Sequence, residues 1–331
     1  MAAGTQSDFQ IYNEQYYSGV TETLTQNANI FNGASGNALQ MVPQRVKGQF
    51  EQASFIQLVA NLDQRRDTTS VSAVTDKKLE QDEEVGVKLN RRLGPVAQTD
   101  DAWRKIAASN EELSLILGRQ SGVAIAITYA NSLLRSLVAC MKGNSGIILD
   151  KTDESTAIDF TYLNEALELF GDRAGRVITW VMHSKPYFRL VSKAITDKIT
   201  DVANMAIYNG TTGTLGRPVV VSDSSALYTD TGGSNNVRTY HILGLVQGAG
   251  TVKQSEEQKA VLDSLSGYEN LMTRFQGEYA FNVSALGYGY KTTAGANPND
   301  ATLGVSASWE QVVTDDKDTA GVMLNVSFGS S

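Results

Sequence analysis

Between residues 101 and 141 the apolar side chains recur at a helical period. Trp103, Ile106, Leu113, Ile116, Leu117, Ile127, Leu134, Leu137, Val138 and Met141 fall largely on one face. An unbroken helix of that span would be roughly 60 Å long, which constrains any fold that contains it. Asp100 and Asp101 supply an acidic entry, and Lys142-Gly143-Asn144 supplies the stop. Gly118 and Gly122 are the positions expected to kink or interrupt it.

The segments before this helix differ from it and from each other. Residues 1–44 carry Asp8, Glu14 and Glu22 but no Lys or Arg. They are rich in Gln, Asn, Thr and Gly, with Phe9, Tyr12, Tyr16, Tyr17 and Phe31 spaced along them. With little helical or alternating period, they read as an extended arm, either a free tail or a strap over a neighbour. Residues 45–100 alternate short apolar stretches with charge and suit a long two-stranded hairpin. The charge includes Arg65, Arg66, Lys77 and Lys78, and Glu83, Glu84, Lys88, Arg91 and Arg92 are too dense to bury, so they face water or opposite charge on another chain. Two strands alone are marginal in water, so such a loop asks for a partner.

Beyond Asp150 the texture becomes α/β. A helix is expected over residues 161–170, a strand over 176–182, and a helix capped by Ser184 with Pro186 in its first turn. Strands follow at 217–222 and 238–246, then a polar loop over 222–236 and a helix or loop near 254–268. An extended run covers 279–291, and 321–328 is the closing strand.

Few residues offer chemistry. The histidines are His183 and His241, neither in a zinc or acid–base motif. The glycines of Gly244-Leu-Val-Gln-Gly248-Ala-Gly250 lack the spacing of a dinucleotide loop. Asp82-Glu83-Glu84 and Asp315-Asp316 lack calcium-loop spacing and read as solvated turns. No catalytic, cofactor or metal residue is assigned. Cys140 is the lone cysteine, so no intramolecular disulfide can form, and it reads as a buried small hydrophobe. A net charge of −8 argues against nucleic-acid binding through the whole surface. No uninterrupted apolar run approaches the ~20 residues that a membrane span needs, and the first residues lack a signal-peptide order, so a soluble chain is expected.

The order of parts, and several short words, carry a resemblance. Val177-Ile-Thr-Trp-Val-Met-His-Ser-Lys-Pro-Tyr-Phe188 looks like a strand-to-helix element, and Leu215-Gly-Arg-Pro-Val-Val-Val-Ser-Asp223 like a glycine-turn-strand. The stretch from Asn297-Pro-Asn-Asp through Trp309 to Lys317 is a third. Together they resemble the tailed-bacteriophage major capsid proteins of the Hong Kong 97 fold, an α+β architecture.

That resemblance implies residues 1–44 as an N-terminal arm and 45–100 as an extended loop overlapping the adjacent subunit. It implies 101–150 as a peripheral domain with a spine helix, 151–276 as an axial domain, and 277–331 as a returning long strand with a closing segment. It implies hexamers and pentamers in an icosahedral shell that encloses DNA without sequence-specific binding, assembled in the host cytoplasm and carried in the virion. Arg65, Arg66, Lys77, Lys78, Glu83, Glu84, Arg91 and Arg92 become expected inter-subunit contacts, with charge setting register more than affinity. No long charged coiled-coil extension precedes the fold, so a separate scaffolding protein is expected, together with a portal and room for a decoration protein. The alternatives are an encapsulin-type nanocompartment shell and, in a different class, an α/β hydrolase or binding protein using Ser184, His183 or His241, and Asp223.

Overall fold

The computed structural model describes residues 6–42, 48–56, 66–74, 76, 81–105, 110–152, 158–201, 217–230 and 237–329. The first part runs α1 (Gln6–Ala34), β1 (Leu39–Val42), β2 (Phe50–Ile56), β3 (Gln81–Thr99), α2 (Asp100–Arg104) and α3 (Asn110–Lys142). The middle runs β4 (Ile148–Lys151), α4 (Phe160–Glu168), β5 (Val177–Met182), α5 (Ser184–Asp201), β6 (Val219–Val221), β7 (Tyr228–Asp230) and β8 (Val237–Val246). The last part runs β9 (Gly250–Leu265), β10 (Met272–Ala285), β11 (Tyr288–Tyr290), α6 (Asp300–Leu303), β12 (Trp309–Gln311) and β13 (Gly321–Gly329).

Two sheets result. One has the order β1-β9-β10-β11-β12, with β3 also paired to β10 and β2 to β3. The other has the order β4-β13-β8-β5-β6, with β7 on β8. The α3 helix lies between them in the packing. Its Leu133, Leu137 and Ala139 are fully buried, and a methyl group on Gly250 of β9 would sit 2.8 Å from Leu133 Cδ1. In the second sheet a side chain at Gly244 would meet the Trp180 ring at 2.7 Å and Val322 at 2.9 Å. Gly244 is therefore a packing glycine beneath a buried tryptophan, not part of a phosphate loop.

Residues 6–34 are helical, where the residue pattern suggested an extended arm. Tyr16, Val20, Leu24 and Ala28 form a seam of one apolar side chain per turn, thin enough to be hidden among Thr, Gln and Asn. That seam packs on α3, and the contact explains Gly118 and Gly122. A Cβ at Gly118 would overlap the Tyr16 carbonyl, and one at Gly122 would come within 3.0 Å of Thr23 Cβ. On the facing side, a Cβ at Gly19 would come within 3.0 Å of the Leu115 carbonyl oxygen. The glycines let two backbones approach, and α3 runs through both without interruption. By length and mean hydropathy, Glu112–Lys142 also passes as a membrane span, contrary to the reading from apolar runs, but its apolar face is spent on the core.

The stretch expected as helix or loop near 254–268 is instead most of β9. Its Glu, Gln, Lys, Ala and Leu favour helix by type, and register shifts opposite Glu278, Ala280 and Phe281 break its alternation. Pairing along β10 overrides propensity. At the start of α5 the expected cap also changes: Lys185 N–H donates to His183 Nδ1 at 3.2 Å, so the imidazole caps the helix and Ser184 is its first residue.

Candidate assembly surface

The charged hairpin is anchored far more tightly than two strands alone would be. Strand β3 pairs with β2 over Gln81–Val87 and with β10 from Val87 to Thr99, so its whole length is held in the sheet. Lys253 pairs with Glu51 across 202 residues of sequence, and Lys88 pairs with Glu256. The Asn90 N–H donates to Asn297 Oδ1 at 2.8 Å.

The expected contact residues separate into groups. Arg65, Lys77 and Lys78 lie outside the described residues. Arg66 is exposed, as is the whole of 66–74, where Asp67 accepts both the N–H (2.9 Å) and the hydroxyl (2.7 Å) of Thr69. Those bonds hold the Asp67 carboxyl below its ordinary range. In the same segment Val71 and Val74 are 103% and 82% exposed.

Glu84 and Arg91 are engaged within the chain. Glu84 accepts the Gly287 N–H at 2.7 Å; burial pushes its carboxyl up, against the pull of that bond and of Lys253. Arg91 pairs with Asp300, whose other oxygen lies 3.2 Å from Arg135 on α3. Glu83 and Arg92 are exposed. Arg92 stands directly opposite Glu278, and Glu278 opposite Lys259, so charge alternates across three strands. Sequence reasoning found these charges but not their mates, which are distant in sequence and become neighbours only in the folded chain.

Residues of the hydrolase alternative do meet in part. His183 Nδ1 lies 3.3 Å from Ser184 Oγ, and Nε2 lies 3.6 Å from Asp223. The Nδ1 lone pair already takes a backbone proton, and the Ser184 hydroxyl also bonds Asp223, so serine is not aligned with a free base. His241 is held elsewhere, by Thr229 and Asn325. Of the acidic clusters, Asp316 accepts from Asn144 and Gln311, and Asp315 caps the turn at Lys317. Among the described residues no group of acids, histidine and cysteine is placed to hold a metal ion.

A second ionic knot ties the closing segment to the turn that leads into β5. Asp318 Oδ1 accepts from Arg173 at 2.5 Å and Arg176 at 2.6 Å, while Lys317 pairs with Asp172 at 2.6 Å. Burial works against the charge on Asp318, but the two guanidinium bonds outweigh it and keep the carboxyl below its ordinary range.

The family model described as Gp13-like, major capsid protein 13-like, matches residues 8–323. The chain belongs to the Gp13-like major capsid protein family. It is a structural component of a tailed-phage virion, and members of this family build a multi-subunit shell.

Solved structures carry the same fold. One from Microbacterium phage Oxtober96 superposes with a TM-score of 0.56 at 10% identity, covering 88% of this chain and 90% of that one. The capsid of Ralstonia phage GP4 gives 0.52 at 10% identity, with 89% and 87% covered. The capsid asymmetric unit of cyanophage Pam1 gives 0.50 at 11% identity, with 88% of each chain covered. No curated protein sequence matches. The family match favours a phage head over an encapsulin, and the superpositions bear out the Hong Kong 97-type α+β fold.

Proposed function

We propose that the chain assembles into hexamers and pentamers of an icosahedral head enclosing double-stranded DNA, with residues 45–100 reaching over an adjacent subunit. The observation that carries this is the described segment 66–74. It exposes every side chain, including Val71 and Val74, although its strands are firmly anchored at their base. Apolar side chains left in water beside an anchored pair of strands are what a neighbouring copy would cover.

In the same reading residues 1–44 are the N-terminal arm, largely helical, 101–150 the peripheral domain, 151–276 the axial domain and 277–331 the returning segment. Arg65, Arg66, Lys77, Lys78, Glu83 and Arg92 are its contact charges, with Glu84 and Arg91 bracing the loop from within. Assembly takes place in the host cytoplasm, and a separate scaffolding protein and a portal are the expected partners, with a decoration protein as a further one. The net charge of −8 suits an inner wall along which DNA moves without being gripped. The test is electron microscopy of the expressed chain with and without co-expressed scaffolding protein. Closed shells built from rings of five and six support the reading, and a strictly monomeric chain under all conditions overturns it.

A further inference from the structure

The outer edge of β9 is open where the strand is longest. At its start β1 covers Gly250–Lys253 in parallel register. Further along, the Ala260 N–H points away from β10 and is met by the Tyr17 hydroxyl at 3.3 Å. The register with β10 is continuous from Lys259 to Leu265. The period of two therefore turns the backbone groups of Leu262 and Ser264 outward as well, and among the described residues no strand pairs with them. The opposite edge of the same ribbon is protected, since Pro95 on β3 has no N–H to offer.

The side chains along the open edge are self-complementary. Lys259, Val261 and Asp263 are exposed on one face, Val261 by 63%. If a second copy runs antiparallel with Val261 opposite its own counterpart, Lys259 of each chain faces Asp263 of the other. Ala260 then faces Leu262 in both directions, and these are the positions whose backbone groups point outward, so they form the hydrogen-bonded pairs. Registers centred on Leu262 or Asp263 place Val261 opposite Asp263, or two Asp263 carboxylates together.

We propose that two copies of the chain pair edge to edge through β9, antiparallel about a two-fold axis at Val261, as one of the contacts that join subunits in the shell. The second copy's Leu262 carbonyl replaces the Tyr17 hydroxyl at the Ala260 N–H. One short strand pair is a weak contact, and repetition around a closed shell makes it count. This inference rests on the shell reading, and its test separates the two.

In a Val261→Cys variant the two sulfurs meet at a non-hydrogen-bonded antiparallel pair, whose Cα separation of about 4.5 Å suits a disulfide. Cys140 is buried and adds no background. After mild oxidation of purified particles, non-reducing electrophoresis should move the greater part of the chain to twice the monomer mass, while Gln276→Cys, exposed on the same face but on β10, stays monomeric. Adding Asp263→Lys to Val261→Cys should remove the dimer, and adding Lys259→Asp to that pair should restore it. Particles whose Val261→Cys chain remains monomeric overturn the pairing, as does a dimer indifferent to both charge changes. A wild-type chain that forms no particle overturns the shell reading instead.

Discussion

The Nε2 nitrogen of His241 lies 2.8 Å from the Thr229 hydroxyl, and the order of donors around the pair is fixed. Lys142 Nζ donates to Thr229 Oγ1 at 2.9 Å, which turns the hydroxyl proton toward His241. On the other side Nδ1–H donates to Asn325 Oδ1 at 2.8 Å. Every bond in this chain suits a neutral imidazole. Burial first, and then the charge of Lys142, push the His241 pKa down to about 4. The folded value lies below the unfolded one of about 6.5, so the unfolded chain binds the extra proton first. The stability this contributes is complete above about pH 6.5 and is lost as pH falls toward 4, by about 3 kcal/mol in all. Thermal unfolding of the purified chain across that range should show the loss, and His241→Gln should flatten it. An unchanged slope in the variant would count against the assignment.

Two glycine-to-alanine changes in helices should move stability in opposite directions. Each gains about 1 kcal/mol of intrinsic helix preference. At Gly33 on α1 nothing lies within 4 Å of the added methyl, so Gly33→Ala should raise the unfolding temperature. At Gly118 the methyl would overlap the Tyr16 carbonyl, and overpacking of that kind costs about 1–3 kcal/mol, so Gly118→Ala should lower it and loosen α1 from α3. Equal responses in calorimetry would show that the helices do not meet through these glycines.

The same pair of helices shows where sequence reasoning reached and where it stopped. The α3 helix was legible because its apolar face is broad, and β5, β8 and β13 because their apolar runs end at clear turn residues. The α1 helix was not, since one apolar residue per turn among Thr, Gln and Asn gives almost no periodic signal. Gly118 and Gly122 were noticed, but their meaning depends on a partner helix some hundred residues earlier. The β9 strand was hidden by helix-favouring residues and by bulges whose cause lies on β10. For the candidate surface, residue type marked the charges, while the mates of Glu51, Lys88 and Arg91 became visible only with the sheet.

Cys140 should behave as a core residue. It is enclosed on the buried face of α3, and burial pushes its thiol well above the ordinary range. A thiol reagent at pH 8 should leave the folded chain unlabelled and modify one site per chain once denaturant is added. Rapid labelling of the native protein would place the thiol at the surface.

Arg91 and Arg92 are adjacent yet should fail differently when reversed to glutamate. Arg91→Glu sets a carboxylate against Asp300 and takes a cation from the pairing that ties β3 to α3, so it should destabilise the chain before assembly is asked of it. Arg92 is exposed, and Glu278 stands across the strand from it, an exposed arrangement worth about 0–1 kcal/mol. Arg92→Glu should therefore leave the melting temperature of the unassembled chain nearly unchanged while reducing the yield of closed particles, and reversing Arg66 as well should deepen the loss. Sedimentation of assembly mixtures, run beside thermal melts of the same samples, separates the two effects. Normal shells from the Arg66→Glu, Arg92→Glu double variant would remove these charges from the subunit interface.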